Sequence, residues 1–321
     1  MKRFLSYLLS VRGILCAALI GLACFASNQF SIHHTGGSPF ETLYMHLIPS
    51  PLVENNHPHE GEAFHPLLEV PLPGFLAAFD WNHDPADGAS TVFFNLQLFQ
   101  IAAALLVLIG FLGVPKYLRT GKGDPLSRLA AGFAMWVRDD IVYPDMGKEM
   151  GRKFLPYFLS VFFFVLFMNL MGLVPYSATA TASIFVTAAL AVTTFLAMLL
   201  CGMAVQGPGK FWLNLVPHVP LPLWPLMFVV ELIGLLVKPF ALMIRLFANM
   251  SGGHMVVLSF MGLIFFMAQL WGTGGGWGTA PLGVGFAVFI MIIEVFVAMV
   301  QAFIFTKLSV IFVNASVHPE H

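Results

Sequence analysis

Long apolar runs separated by short polar segments dominate the chain, and several runs are long enough to cross a membrane as helices. A bilayer core about 30 Å thick needs about 20 apolar residues in a helix. The first clear run after the N-terminus extends from Leu96 to Pro115. Residues 154–209 lack Asp, Glu, Lys and Arg and suffice for two spans, with a turn predicted at 172–177. The pattern therefore predicts an all-α polytopic membrane protein.

The end of the chain predicts two unusually long helices. Residues 226–270 are almost wholly apolar and would form a helix about 65 Å long, about twice the bilayer core. We predict one steeply tilted helix; the alternative is two spans joined by a polar turn at 249–253. A glycine-rich turn at 272–283 and a last helix at 284–313 should follow. This gives about five transmembrane helices after an N-terminal leader, the last two long and steeply tilted.

The N-terminal part of the chain differs from the rest. Residues 1–26 combine basic residues with an apolar stretch, typical of a signal-like leader that is either cleaved or retained as an anchor. Residues 27–95 lack Lys and Arg and are rich in acids, His and Pro. The His-Pro-His-Glu run at 57–60 could bind a metal, but a solvated acidic loop is favoured because no predicted helix or strand fixes the ligands. We therefore predict no metal and no cofactor.

Charge along the chain predicts its orientation. Basic residues are concentrated in 116–153, which marks the cytoplasmic side. The acidic segment 27–95 is then extracytoplasmic, residues 96–313 form the transmembrane domain, and residues 314–321 form a cytoplasmic tail. A leader followed by an outside segment favours a bacterial cell inner membrane, with an organelle as the alternative. A chain that is 58% hydrophobic and 10% charged with net charge -1 excludes a soluble domain and a nucleic-acid partner.

The predicted last two helices contain a few ionisable residues, and Arg245 lies in the middle of the first. A mid-membrane arginine costs at least about 2.5–3.5 kcal/mol, so such residues usually face a cavity and mark a pathway. The alternatives are that Arg245 extends to an interface or pairs with Glu231. The ionisable residues are Glu231, Lys238, Arg245, His254, Glu294 and Lys307.

Helical geometry places titratable groups on either side of this charge. Asn249 follows Arg245 by one turn on the same face. Glu231 precedes Arg245 by about 21 Å along the axis, and His254 follows it by about 14 Å on the opposite side. On the last helix Glu294 and Gln301 share a face. A fixed positive charge between titratable groups predicts two half-pathways for protons that meet at a barrier.

Three motifs follow one another along the chain. They are Asn169 with Gly172 and Pro175, the stretch 231–254 that contains Glu231, Lys238, Arg245, Asn249 and His254, and Glu294 with Gln301. Together they resemble subunit a of F-type ATP synthases. The resemblance covers about residues 95–313, and the N-terminal 95 residues match no pattern of that family. Lys238 stands where many members have arginine, and His254 with Glu294 resembles the mitochondrial-type arrangement.

The resemblance implies a proton-translocating stator that couples proton flow to the rotation of a ring and to ATP synthesis. The implied partners are the lipid bilayer, a ring of c subunits that carry membrane-embedded carboxylates, b-type peripheral stalk subunits and a catalytic head. Since the sequence contains no phosphate-binding loop, the chain is not catalytic on its own. Arg245 would face the ring and block a proton leak. The guanidinium stays protonated, and at about 4 Å with a dielectric near 20 it would attract a carboxylate by about 4 kcal/mol.

The other polar residues take supporting roles in this interpretation. Glu294 and His254 are candidates for the outer half-pathway, or form a structural hydrogen-bonded pair. Glu231 is a candidate for the inner half-pathway, or a charge at a helix end. Asn249 and Gln301 would position Arg245 or hold water. Asn169 and Lys238 are weaker candidates. The Ser and Thr side chains at positions 177, 179, 181 and 183 are also weaker candidates, because Ser and Thr often form hydrogen bonds across membrane helices without further function.

Two other classes of function remain open from the residues. A self-contained channel or secondary transporter would predict internal repeats or broken helices around a substrate site, and the sequence shows no repeat. A membrane anchor or assembly factor would leave Arg245, His254 and Glu294 without a role.

Overall fold

The apolar runs form helices, as the sequence predicts. The computed structural model describes residues 11–31, 49–53, 67, 69–71, 90–174, 177–215 and 223–317. The chain is an all-α polytopic membrane protein, and its described residues contain five helices that are long and apolar enough to cross a membrane. Most of the acidic segment, including the His-Pro-His-Glu run at 57–60, lies outside the described residues, as do residues 318–321 of the predicted tail.

From the second helix onward, the helices follow one another with short connections. A two-stranded antiparallel sheet, in which Glu69 pairs with Val92, precedes the second helix. The elements are α1 (Val11–Phe30), β1 (Glu69–Pro71), β2 (Ser90–Val92), α2 (Asn95–Phe111), α3 (Val114–Thr120), α4 (Pro125–Trp136), a π-helix (Val137–Val142), α5 (Tyr143–Gly172), a 3-10 turn (Ala180–Ala182), α6 (Ile184–Gln206), α7 (Pro208–Asn214) and α8 (Trp224–Val317).

Helices α5 and α6 confirm the predicted hairpin. Helix α5 ends at Gly172 and α6 begins at Ile184, so the connection includes the turn expected at 172–177. Gly147 adopts a positive φ of 70° inside α5, which interrupts its first turns. Positive φ costs glycine little because it has no Cβ.

Helix α8 contains both of the predicted long helices. Its backbone leaves helical geometry only at Trp271 and Gly272, and we call residues 224–270 α8a and residues 273–317 α8b. The alternative of a polar turn at 249–253 is wrong, because these residues are helical. Helix α8a is about 70 Å long at 1.5 Å per residue. Counting α8a and α8b separately gives five long helices after α1 in the described chain, as predicted.

The long glycine-rich turn predicted at 272–283 is wrong, since residues 273–283 are helical and belong to α8b. The glycines allow α8b to approach α8a closely. A β-carbon at Gly275 would lie 2.7 Å from the Met267 carbonyl oxygen, and one at Gly283 would lie 2.8 Å from Ile264 Cγ1. Glycines therefore serve helix packing here, a use common in membrane helices.

Replacing one of these glycines should destabilise the hairpin. We expect Gly283→Val to lower the thermal stability of the purified protein, because overpacking costs about 1–3 kcal/mol. Gly285→Val is a matched control, since nothing lies within 4 Å of a β-carbon there and the change in helix propensity is the same. Equal melting temperatures of the two variants would contradict the close approach at Gly283.

The chain forms two compact units, and each combines segments distant in sequence. The first unit contains residues 1–109, 167–180 and 251–295. Within it, the rings of Phe260 and Phe286 stack with centroids 5.0 Å apart, which joins α8a to α8b. Phe286 is 43% exposed, so this contact lies at the surface of the unit.

The second unit contains residues 110–166, 181–250 and 296–321. Lys307 Nζ and Asp145 Oδ2 form an ion pair of 2.7 Å between α8b and α5. Ser316 donates to the Met198 carbonyl oxygen at 2.7 Å, which links α8b to α6. Polar contacts between apolar helices fix their register without exposing backbone groups to lipid.

Candidate functional site

Arg245 occupies the middle of α8a and carries a charge without an ion-pair partner in the described chain. Its neighbour Leu246 is fully buried at 0% exposure, whereas the Arg245 side chain is partly exposed. The ion pairs among the described residues join Arg138 to Asp139 and Lys307 to Asp145. The alternative in which Arg245 pairs with Glu231 is therefore not formed. The guanidinium keeps its charge because arginine is not deprotonated in proteins.

The face of α8a that carries Arg245 has small side chains. Gly234, Ala241 and Ala248 lie within about 60° of Arg245 around the helix axis at 100° per residue. Ala241 and Ala248 are exposed, and nothing described lies within 4 Å of a β-carbon built on Gly234. Small residues on a membrane helix allow another helix to come close. Arg245 is thus placed where a second helix could approach its guanidinium.

Asn249 and Gln301 are joined to each other. Asn249 Nδ2 donates to Gln301 Oε1 at 2.7 Å, which connects α8a to α8b one turn after Arg245. Gln301 is 2% exposed, so its amide needs a partner inside the protein. The bond holds the two helices together beside the arginine.

Glu231 and Lys238 line a cavity of about 300 Å³ in the second unit. The cavity lies among α6, α7, α8a and the end of α8b, and Gln206, Asn314 and Ser316 add polar groups to its wall. Lys238 Nζ also lies 5.8 Å from the centre of the Phe312 ring. A cavity of this size with polar walls has room for several water molecules.

Glu294 is buried in the first unit, with 5% of its surface exposed. Neither carboxylate oxygen has a hydrogen-bond partner among the described residues. Its Oε1 lies where a β-carbon of residue 253 would be, so only glycine at that position leaves it room. The alternative of a hydrogen-bonded pair with His254 is therefore not formed. Burying a carboxylate without hydrogen-bond partners is costly to the fold.

His254 lies on α8a next to Gly253 and bonds to the loop after α5. Its Nε2 is 2.7 Å from the Thr179 hydroxyl oxygen. Thr179 in turn donates to the Gly172 carbonyl oxygen at 3.1 Å. Asn169, three residues before Gly172, is fully buried on α5. Among the described residues no group of three His, Cys, Asp or Glu side chains could hold a metal ion.

The structure thus divides the predicted residues into two sets. The second unit holds Arg245, Asn249, Gln301, Glu231 and Lys238. The first unit holds His254, Glu294 and Asn169. Each set contains at least one carboxylate, and only the second contains the fixed positive charge.

Three residues contact the site in the structure but were not singled out from the sequence. Thr179 was one of several weak hydroxyl candidates, and Gly172 and Gly253 were only parts of motifs. The available signal was their position, since a glycine beside a polar residue in a membrane helix can make room for a polar side chain of another helix. Which side chain occupies that room depends on tertiary packing.

Comparison with known proteins connects this arrangement to one family. A model of the family "ATP synthase A chain" matches residues 97–314. The chain is 41% identical to ATP synthase subunit a of Anaeromyxobacter sp. over 226 residues, which cover 70% of this chain and 53% of that protein. It is 44% identical to ATP synthase subunit a of Myxococcus xanthus over 187 residues, covering 58% and 59% respectively.

A third relative aligns along almost the whole chain. ATP synthase subunit a 2 of Prosthecochloris aestuarii is 32% identical over 324 aligned positions, covering 99% of this chain and 92% of that protein. By contrast, the chain spans little more than half the length of the Anaeromyxobacter and Myxococcus relatives.

Proposed function

This chain belongs to the ATP synthase A chain family, and we propose from that premise that it is the proton-translocating stator subunit a of a rotary F-type ATP synthase. It would provide two half-channels to the carboxylates of a rotating ring of c subunits, with Arg245 between them. Proton flow through these half-channels would drive ring rotation and, through it, ATP synthesis in a catalytic head. The b-type peripheral stalk subunits would hold the chain fixed against the head.

The observation that carries the proposal is the position of Arg245. A permanent charge without an ion pair in the described chain, on a helix face with small side chains, suits an approaching partner that brings its own carboxylate. Such a carboxylate is neutral while it faces lipid, because burial disfavours its charged form. At about 4 Å with an effective dielectric near 20, Arg245 would favour the anion by about 4 kcal/mol. The ring acid would therefore release its proton on arriving at Arg245.

The inner half-channel would start at the cavity that contains Glu231. The cavity is lined by the end of α8b, and orientation from the basic segment 116–153 puts this end on the cytoplasmic side. Glu231 would exchange protons with water there. The half-channel would return a proton to the ring carboxylate, or accept one from it, on the inner side of Arg245.

The outer half-channel would use Glu294 and His254 of the first unit. Glu294 has no hydrogen-bond partner among the described residues, so its proton is not tied to a structural contact. His254 can hold a proton at either ring nitrogen.

Other residues would hold Arg245 in place, and the long helices would fix how the chain lies in the membrane. Asn249 and Gln301 would keep α8a and α8b together beside Arg245 through their hydrogen bond. Helix α8a, at about 70 Å, would tilt steeply to remain within the bilayer. The chain is a multi-pass membrane protein with bacterial relatives. We place it in the bacterial cell inner membrane, with residues 27–95 outside and the C-terminus in the cytoplasm.

Purification of the tagged chain in mild detergent tests this proposal. We expect it to bring with it a ring of small hairpin proteins and a soluble nucleotide-binding head. The reconstituted complex should acidify liposomes when ATP is added. A chain that purifies alone, or a complex that hydrolyses ATP without moving protons, would contradict the proposed function.

A further inference from the structure

Thr179 lies after α5 and is hydrogen-bonded to the end of this helix. The last carbonyl groups of a helix have no intrahelical partners and are often capped by side chains. Ser177 Oγ donates to the Met171 carbonyl oxygen at 2.6 Å, and Thr179 Oγ1 donates to the Gly172 carbonyl oxygen at 3.1 Å. Both hydroxyl groups are therefore held over the last turn of α5, and Thr179 has a defined orientation.

The bond from Thr179 to Gly172 determines how Thr179 can bond to His254. A threonine hydroxyl has one proton to donate and two lone pairs that accept. A carbonyl oxygen can only accept, so in the bond to Gly172 the Thr179 hydroxyl is the donor and uses its one proton. The second contact of the same oxygen, 2.7 Å from His254 Nε2, must then be one in which Nε2–H donates. Neutral His254 is thus held in the tautomer whose Nδ1 has a free lone pair.

We propose that Thr179 is a positioning residue that keeps His254 protonated at Nε2 and makes Nδ1 the nitrogen that gains and loses the transported proton. The inference rests on the proposed function, and it adds which atom of His254 carries the proton and which residue decides this. The Nδ1 atom has no hydrogen bond to any described residue, so nothing in the described chain competes for its lone pair.

The arrangement allows the imidazole ring to stay in place through a cycle. When Nδ1 takes a proton, Nε2–H continues to donate to the same Thr179 oxygen. When Nδ1 releases the proton, that bond is again unchanged. The ring therefore needs no rotation or change of tautomer, and the positions of proton donor and acceptor stay fixed between turnovers.

Gly172 supports the same geometry from the other side of the bond. A β-carbon at Gly172 would lie 2.7 Å from Thr179 Cγ2 and 2.9 Å from Thr179 Oγ1. Real β-carbons do not approach other atoms so closely, so a side chain at residue 172 would displace the Thr179 hydroxyl. The absence of a side chain at Gly172 is thus a condition for the contact between Thr179 and His254.

Substitution at Thr179 in the assembled complex tests the proposal. Thr179→Val keeps the shape but removes the hydroxyl, and we expect ATP-driven proton pumping per assembled complex to fall about tenfold, the effect of losing one orienting hydrogen bond. Thr179→Ser keeps the hydroxyl and should restore most of the rate. Thr306→Val is the matched control, because Thr306 is fully buried and its hydroxyl has no partner among the described residues.

Each outcome decides for or against the positioning role. Slow pumping by Thr179→Val, with pumping by Thr179→Ser and Thr306→Val near the wild-type rate, supports this role. Normal pumping by Thr179→Val overturns it, and so does a Thr179→Ser complex as slow as Thr179→Val, because the methyl group would then matter. If the Thr179→Val complex does not assemble, Gly172→Ala is measured instead. Slow pumping by Gly172→Ala would support the positioning role of Thr179, and pumping at the wild-type rate would overturn it. Failure of the wild-type complex to pump would instead overturn the proposed function.

Discussion

Gly253→Ala is expected to abolish ATP-driven proton pumping while the complex still assembles. The β-carbon of alanine would overlap with Glu294 Oε1, so the carboxylate must leave its present position. Glu294 is otherwise surrounded by protein and has no hydrogen-bond partner among the described residues that could hold it elsewhere. A misplacement of about 1 Å at a reacting group can reduce a rate about a hundredfold.

Comparison with a second glycine separates this effect from a general loss of stability. Gly285→Ala makes the same change on α8b, at a position with nothing within 4 Å of the new carbon. We expect this control to assemble and pump like wild type. Pumping by Gly253→Ala at the control rate would mean that the position of the Glu294 carboxylate is unimportant for proton transfer.

Arg245→Ala is expected to open a passive proton leak through the membrane part of the complex. In the proposed function the fixed charge would repel a proton crossing directly between the half-channels, and alanine would remove this repulsion. Since Arg245 has no ion pair in the described chain, its removal leaves no buried carboxylate unpaired, and assembly should be retained. Arg245→Lys should leak less than Arg245→Ala, because lysine keeps a charge when it stays protonated.

The leak is measured as dissipation of an imposed pH gradient in vesicles from which the catalytic head has been removed. Arg138→Ala is the control, because Arg138 forms a surface ion pair with Asp139 whose contribution to stability is small. A leak in Arg245→Ala no faster than in Arg138→Ala would show that the charge of Arg245 is not the barrier.

The helices could be predicted from the sequence because membrane burial imposes a simple rule on composition. Long apolar runs predicted α2, α5, α6, α8a and α8b, and the sequence motifs indicated the family. The extended glycine-rich turn was predicted wrongly. A run of glycines favours turns when only neighbours in sequence are considered. In the folded chain, Gly275 and Gly283 instead face α8a, where any side chain would collide.

The ionisable residues of the site could be found from the sequence, but not their partners. Arg245, His254 and Glu294 stand out because charge is costly in a membrane. The pairing of His254 with Thr179 joins residues 75 positions apart, and no local pattern predicts it. The space that Gly253 leaves for Glu294 likewise exists only after α8a and α8b have packed together.

The continuous backbone at Arg245 argues against the self-contained transporter. Transporters of that kind bind their substrates at broken helices. Within the described chain, α8 departs from helical geometry only at Trp271 and Gly272, far along the sequence from Arg245. The arginine is therefore presented by an intact helix.

In the proposed function Arg245 couples proton movement to the rotation of the ring. The most direct test is ATP-driven proton pumping in inverted membrane vesicles that contain the assembled complex, with either wild-type chain or Arg245→Ala. We expect complete loss of pumping in Arg245→Ala with the same subunits assembled. Pumping at the wild-type rate by the variant would rule out this coupling role and make Arg245 a structural residue.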